Sequence, residues 1–179
     1  MLLQGVCDHN LQFIDCFAGY PGSVHDARLL RNSPLYQDVQ QNILNLFPHD
    51  THLIGDPAYP LDSWLLVAYR DNGHLTAVQK KFNLKLSMTR SVIERAFALL
   101  KGRFRRLKFL DMNRVDLIPR CIMACCVLHN ICLGNEGVEE GIDDYIENGL
   151  DPDSQLNAVD RPEASHTGNF KRNAIALNL

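Results

Sequence analysis

Thr51-His52-Leu53-Ile54-Gly55-Asp56-Pro57-Ala58-Tyr59-Pro60 is the stretch on which the reading of this 179-residue chain turns. Its short apolar run, closed by a turn-forming Pro-Ala-Tyr-Pro, reads as a buried strand of the parallel-sheet type. Parallel strands need helical crossovers, so the expected fold class is α/β. Asp56 then stands at the carboxyl end of a strand, where open α/β sheets place their ligands. A plainer reading of Asp56 is a turn aspartate capping the next element.

Working outward, residues 2–18 read as a β-hairpin. Leu2 to Cys7 and Leu11 to Ala18 flank the turn-prone Asp8-His9-Asn10. Alternation places Asp15 on one strand face with Phe13 and Phe17. Ser23 with Asp26 forms a capping-box pattern that predicts a helix start, and Pro34 separates two helical pieces between Val24 and Leu46. Residues 61–78 are ambiguous, and Lys80 to Leu86 suits a polar helix or loop.

From Thr89 to Leu110 the helical signal is strong, with Ile93, Phe97, Leu100, Phe104 and Leu107 at steps of four and three. Arg90, Glu94, Lys101, Arg105 and Lys108 recur on a second face, roughly 100° away. A carboxylate within a row of cations suits a site where metal ions meet phosphodiesters. Its plain alternative is a surface glutamate paired with Arg90 or Arg95. A last helix near Leu117 to Cys132 is apolar nearly all round and is expected to be buried. Its Cys121, Cys125, Cys126, His129 and Cys132 are packing residues rather than zinc ligands, since structural zinc draws on more than one short element.

The net charge of −3 conceals a strong asymmetry. Residues 80–120 carry twelve Lys or Arg against three acids, whereas residues 136–163 carry ten acids against Arg161 alone. The basic block can track a phosphate backbone. The acidic segment predicts a disordered tail over 136–179, leaving 1–135 as the folded domain. Apolar stretches fall short of the roughly 18–20 residues of a membrane span, so no membrane partner is expected. Six cysteines, four crowded in one apolar segment, suit buried thiols in a reducing compartment.

Four ordered blocks together resemble a known family. Gly19-Tyr20-Pro21-Gly22-Ser23-Val24-His25-Asp26-Ala27-Arg28, with Arg31-Asn32-Ser33, is similar to a signature of Harbinger-type, transposase-derived nucleases of the DDE superfamily. Gly55-Asp56-Pro57-Ala58-Tyr59-Pro60 resembles the block of the second catalytic aspartate. Ile93-Glu94-Arg95-Ala96-Phe97, continuing to Phe104, resembles the block of the catalytic glutamate, and Leu128-His129-Asn130 the closing helix.

The resemblance implies a ribonuclease-H-like fold and metal-dependent phosphodiester hydrolysis on DNA. Asp56 and Glu94 become the catalytic metal ligands for magnesium or manganese, and Arg90, Lys101, Arg105 and Lys108 the DNA contacts. It also implies a Myb-like DNA-binding partner and a location in nucleus and cytoplasm. The family's first aspartate lies on its first strand, in an Asp-Gly-Thr-His-like motif that does not occur here. Asp8 belongs to the hairpin turn and Asp15 to the structural set, so the expectation is a nuclease domain missing that strand and impaired as an enzyme. The alternative is a non-catalytic module that binds DNA or a protein.

Overall fold

The computed structural model describes residues 1–110, 112–135 and 162–179. Strands β1 (Leu2–Cys7) and β2 (Phe13–Tyr20) lead into helices α1 (Asp26–Arg31) and α2 (Pro34–Leu46). Short strands β3 (Leu53–Ile54) and β4 (Leu65–Leu66) precede the long α3 (Ala77–Arg103), then α4 (Ile118–Asn135) and α5 (His166–Asn178). The fold divides into two compact units: Met1–Val24 with the chain from Ser91, and His25–Arg90 with the C-terminal segment to Leu179.

In the first unit β1 and β2 form the expected antiparallel hairpin. Asp8 organises its turn, accepting from the amides of Asn10 at 2.9 Å and Gln12 at 3.0 Å. The face shared by Asp15 and Phe13 is corrected. A register shift between Val6 and Cys7 leaves Asp15 opposite Val6 and Phe13 opposite Cys7. One extra residue on β2 turns Phe13 into the core while Ile14 stays 65% exposed. Gly5 is small because it must be: a Cβ there would lie 3.0 Å from both the Phe13 and Phe97 rings.

That core joins Leu11 and Phe13 to Ala96, Leu99 and Leu100 of α3 and to Ile122, Cys126 and Leu133 of α4. Ile93, Phe97, Phe104 and Leu107 pack against it, as their spacing predicts. Helix α4 also supplies polar contacts. Asn130 accepts from the Phe13 amide at 2.9 Å and donates to the Phe13 carbonyl at 2.7 Å. The imidazole of His129, fully buried, lies with Nε2 2.9 Å from the Leu11 carbonyl. Burial pushes that imidazole below its ordinary value, so it is neutral and Nε2–H donates to the carbonyl.

Two expectations for α4 are corrected. Val115–Gly134, 20 residues, is long and apolar enough to cross a bilayer by length and composition alone. The helix is also not buried all round: Val127, Leu128 and Ile131 are 58, 47 and 52% exposed. Only the stripe of Ile122, Cys126, His129 and Leu133 is buried, because a helix packed against one hairpin and one helix covers one face.

The second unit is built around Trp64, 2% exposed, with Phe47 stacked on it at 5.7 Å and Tyr36 edge-on at 6.3 Å. The expected separation of α1 from α2 holds: Ser33 caps α2 by accepting from the Tyr36 amide and donates to the Leu30 carbonyl. The ambiguous stretch after Leu61 is a buried segment whose Leu65 and Leu66 pair in parallel with Leu53 and Ile54. Helix α3 starts twelve residues earlier than expected. The cause is a reciprocal cap: the Gln79 amide bonds to Thr76 Oγ1, and the Thr76 amide to Gln79 Oε1.

Disorder beyond 136 is corrected over α5; the rest of that expectation, 136–161, lies outside the described residues. Ser165 caps α5 and bonds to Asp62. Lys171, 9% exposed, donates to the carbonyls of Asp50 at 2.7 Å and Thr51 at 3.2 Å and pairs with the Asp50 carboxylate at 2.9 Å. Arg172 lies 3.9 Å over the Tyr69 ring and donates to the Val67 and Ala68 carbonyls. Cations, a glycine and only two apolar residues, Ile175 and Ala176, make the contact, so apolar periodicity does not reveal it.

Replacing Asn130 with Ala strands a partly buried N–H and C=O and is expected to cost ~1–3 kcal/mol in chemical denaturation. Gly168→Ala places a Cβ 2.7 Å from the Asp62 backbone, which no side-chain rotation relieves. Detachment of α5, read as faster amide exchange over 166–178, is the expected result.

Candidate metal and DNA site

Asp56 emerges from β3 where the strand reading puts it. The pairing runs one residue past β3, with the Gly55 amide bonded to the Leu66 carbonyl at 2.8 Å, and the chain then turns. Asp56 holds that turn itself: its Oδ1 accepts from the Ala58 amide at 2.9 Å and its carbonyl from the Tyr59 amide at 3.0 Å. The plain reading of Asp56 as a turn residue is therefore true of one carboxylate oxygen. The other, Oδ2, faces Arg90 of α3 at 3.4 Å. Both side chains keep some exposure, 23% for Asp56 and 18% for Arg90, so the pair lines an accessible surface.

A third group, Asp26, follows the carboxyl end of β2, from where it and His25 could reach the site, although the capping pattern assigns Asp26 to a helix start. Asp26 is half-buried and its carboxyl is raised above the ordinary range, first by burial and then by the negative charge of Asp56. The expected Ser23–Asp26 capping box does not form; His25 is the N-cap of α1 and Asp26 its first residue. That frees the Asp26 carboxylate from a local capping role. Tyr59 lies among the same charges. Burial raises its phenol, Asp26 and Asp56 raise it further, and Arg90 opposes them, so the hydroxyl stays protonated. Asp26, the turn of Asp56 and Tyr59, and Arg90 thus come together within the second unit from three separate stretches of chain.

Glu94, Lys101, Arg105 and Lys108 belong to the first unit. Glu94 is exposed on α3 beside Arg95, opposite the side that carries buried Ala96, Leu99 and Leu100. The row of cations on one helical face is corrected. Helix α3 ends at Arg103, because Phe104 leaves helical angles at φ −106°, ψ 65°, and Arg105–Lys108 form a 3₁₀ turn. Lys101 therefore stands in the last α-helical turn, with Arg105 and Lys108 on the turn beyond.

Two nearby carboxylates are hard oxygen donors that suit magnesium or manganese. The raised Asp26 carboxyl fits that chemistry, since a cation between two like charges relieves their repulsion. Among the described residues no cluster of three or more His, Cys, Asp or Glu is positioned to hold a metal.

The pKa shift has a consequence for stability without metal. A carboxyl raised in the folded state costs stability once ionised, and the cost vanishes at pH values where both states are protonated. In a chelator, Asp26→Asn is expected to raise the thermal midpoint at about pH 7.5 and leave it unchanged near pH 3. Calorimetry at the two pH values checks this; a lower midpoint at the higher pH would contradict it.

The DDE superfamily endonuclease family model matches residues 1–130. Protein ALP1-like of Arabidopsis thaliana is 33% identical over 158 residues, covering 80% of this chain and 37% of that protein. Antagonist of Like Heterochromatin Protein 1, from the same plant, is 33% identical over 144 residues, covering 74% and 36%. The mouse protein HARBI1, named as a candidate nuclease, is 35% identical over 131 residues, covering 72% and 36%. The chain spans little more than a third of the length of these relatives. No solved structure matches it. A family model over most of the chain, with these relatives beside it, makes the chain a member of the Harbinger transposase-derived DDE superfamily endonucleases.

Proposed function

We propose that this chain carries residues of a divalent-metal site for phosphodiester hydrolysis on DNA, with Asp56 and, by family membership, Glu94 as metal ligands and Asp26 as a further oxygen donor near Asp56, in a ribonuclease-H-like fold. The observation that carries the reading is Asp56 at the end of β3, one oxygen fixed by its own turn and the other 3.4 Å from Arg90, with Asp26 near enough for the charge of Asp56 to act on it. Glu94 enters the reading by family membership alone. Magnesium or manganese held there supplies positive charge to a phosphodiester oxygen. Arg90 balances the carboxylates and presents a fixed fork of donors to a phosphate. Tyr59 keeps its proton and remains a hydrogen-bond donor at the rim of the pair. Lys101, Arg105 and Lys108 contact the DNA backbone.

Asp26 alters the count of carboxylates available for the metal. The sequence offers two and no Asp-Gly-Thr-His-like motif; Asp26 adds a candidate oxygen donor from another element. The name of one relative sets that protein against a heterochromatin protein. For this chain we extend the partner class only to chromatin-bound DNA and its binding proteins, of which a Myb-like protein is one.

Manganese titrated into the metal-free chain is expected to raise its thermal midpoint, and Asp56→Asn or Asp26→Asn to abolish the rise. Nicking of supercoiled plasmid should fall on the order of 10³-fold or more in Asp56→Asn and in Glu94→Gln, since groups acting as a unit fail together. A chain that binds DNA but neither takes up manganese nor nicks is the non-catalytic module instead. Replacing Lys101, Arg105 and Lys108 with Ala should flatten the log K against log salt slope by about 0.9 per lost contact on duplex DNA. An unchanged slope assigns those charges to solvent.

A further inference from the structure

We propose that Phe109 is a stacking platform for an unpaired DNA base, set beside a phosphate contact made by Arg106. The inference rests on the DNA-binding reading above and adds to it the kind of DNA engaged. Phe109 is 84% exposed, more than any other large hydrophobic side chain among the described residues. It follows directly on Arg105-Arg106-Leu107-Lys108, the turn at the end of α3.

The exposure is built into the turn rather than a consequence of loose chain. Leu107 and Leu110, on either side of Phe109, pack against the core of the first unit. The Phe109 amide bonds to the Arg106 carbonyl at 3.2 Å, closing a 3₁₀ turn. Phe109 is the C-cap of that turn, at φ −139°, ψ 68°, so its ring stands at the turn's end, three residues after Arg106. Arg106, like Arg105, is exposed. An aromatic face with a guanidinium beside it is the combination that binds single-stranded nucleic acid without sequence preference. A protein-docking patch needs contiguous apolar surface, whereas the immediate neighbours of Phe109 in this turn are cations and leucines half-buried against the core.

A duplex with every base stacked offers Phe109 nothing, whereas a frayed, nicked or flipped-out site does. The turn would therefore favour DNA that is locally opened, which is the state in which a strand is accessible to hydrolysis. Cations without the ring would bind both forms through phosphate alone.

The test uses the full chain with a twelve-residue oligothymidine and a twelve-base-pair duplex at fixed salt. Phe109→Ala should weaken binding to oligothymidine about tenfold, leave the duplex affinity unchanged, and keep the salt slope of the wild-type chain. Phe109→Tyr should restore the affinity. Arg106→Ala should instead flatten the slope on both probes. Phe109→Trp supplies a direct readout, because the one native tryptophan, Trp64, is 2% exposed and forms a quiet background. Oligothymidine should quench the new emission and the duplex should not.

Equal affinity of wild type and Phe109→Ala for oligothymidine, with the salt slope intact, would overturn the stacking role while leaving DNA binding in place. Equal losses on both probes together with a lowered thermal midpoint would overturn it too, assigning Phe109 to the fold. Absence of any DNA binding by the wild-type chain would remove the DNA-binding reading itself, and the stacking role with it.

Discussion

Backbone groups that short strands leave unpaired are the constraint on which this structure depends. Each sheet among the described residues has two strands, and β3 and β4 are two residues long. Buried backbone donors and acceptors outside a ladder must find other partners or cost stability. Helix side chains meet the need repeatedly. Asn130 bonds both groups of Phe13, and Asn83 does the same for Tyr69, at 2.8 Å to the amide and 3.0 Å to the carbonyl. His129, Lys171 and Arg172 take further carbonyls. The amide of asparagine, with one donor and one acceptor side by side, imitates a neighbouring strand at single points.

The site inherits its geometry from this arrangement. Pairing of Gly55 with Leu66 ends the β3 ladder, so the next residue, Asp56, must satisfy its own turn, and it does so with one carboxylate oxygen. The second oxygen is left to Arg90. A carboxylate whose one oxygen is fixed by the backbone has a defined direction, which is what preorganised ligand positions require. Asp26 shares that neighbourhood without a cap to satisfy, and its carboxyl is raised first by burial and then by tension with the like charge of Asp56. Tension of that kind, between like charges at a partly exposed surface, is a recurrent sign of a functional site.

Charge has different meanings at the two ends of the chain. In α5, Lys171 and Arg172 are anchors: desolvated, hydrogen-bonded to carbonyls, and in one case stacked on Tyr69. After α3, Arg105 and Arg106 stand in solvent on a 3₁₀ turn. Residue type does not separate the two. The separation comes from whether a carbonyl or an aromatic face lies within reach of the side chain once the segment folds.

What the sequence determined by itself is local and periodic. The hairpin, the Pro34 break, the strand before Asp56 and the apolar stripe of Ile93, Phe97, Leu100, Phe104 and Leu107 all follow from short-range pattern, as does the turn role of Asp8. Ordered motifs also carried family membership. The Thr76–Gln79 cap was legible and passed over. Tertiary structure alone decided the rest. The bulge that turns Phe13 away from the face of Asp15, the docking of α5, the open face of α4 and the meeting of Asp26 with Asp56 depend on contacts between distant segments. No periodicity encodes such contacts, because a cation bonded to a remote carbonyl and a carboxylate near another carboxylate leave no repeating trace in their own segments.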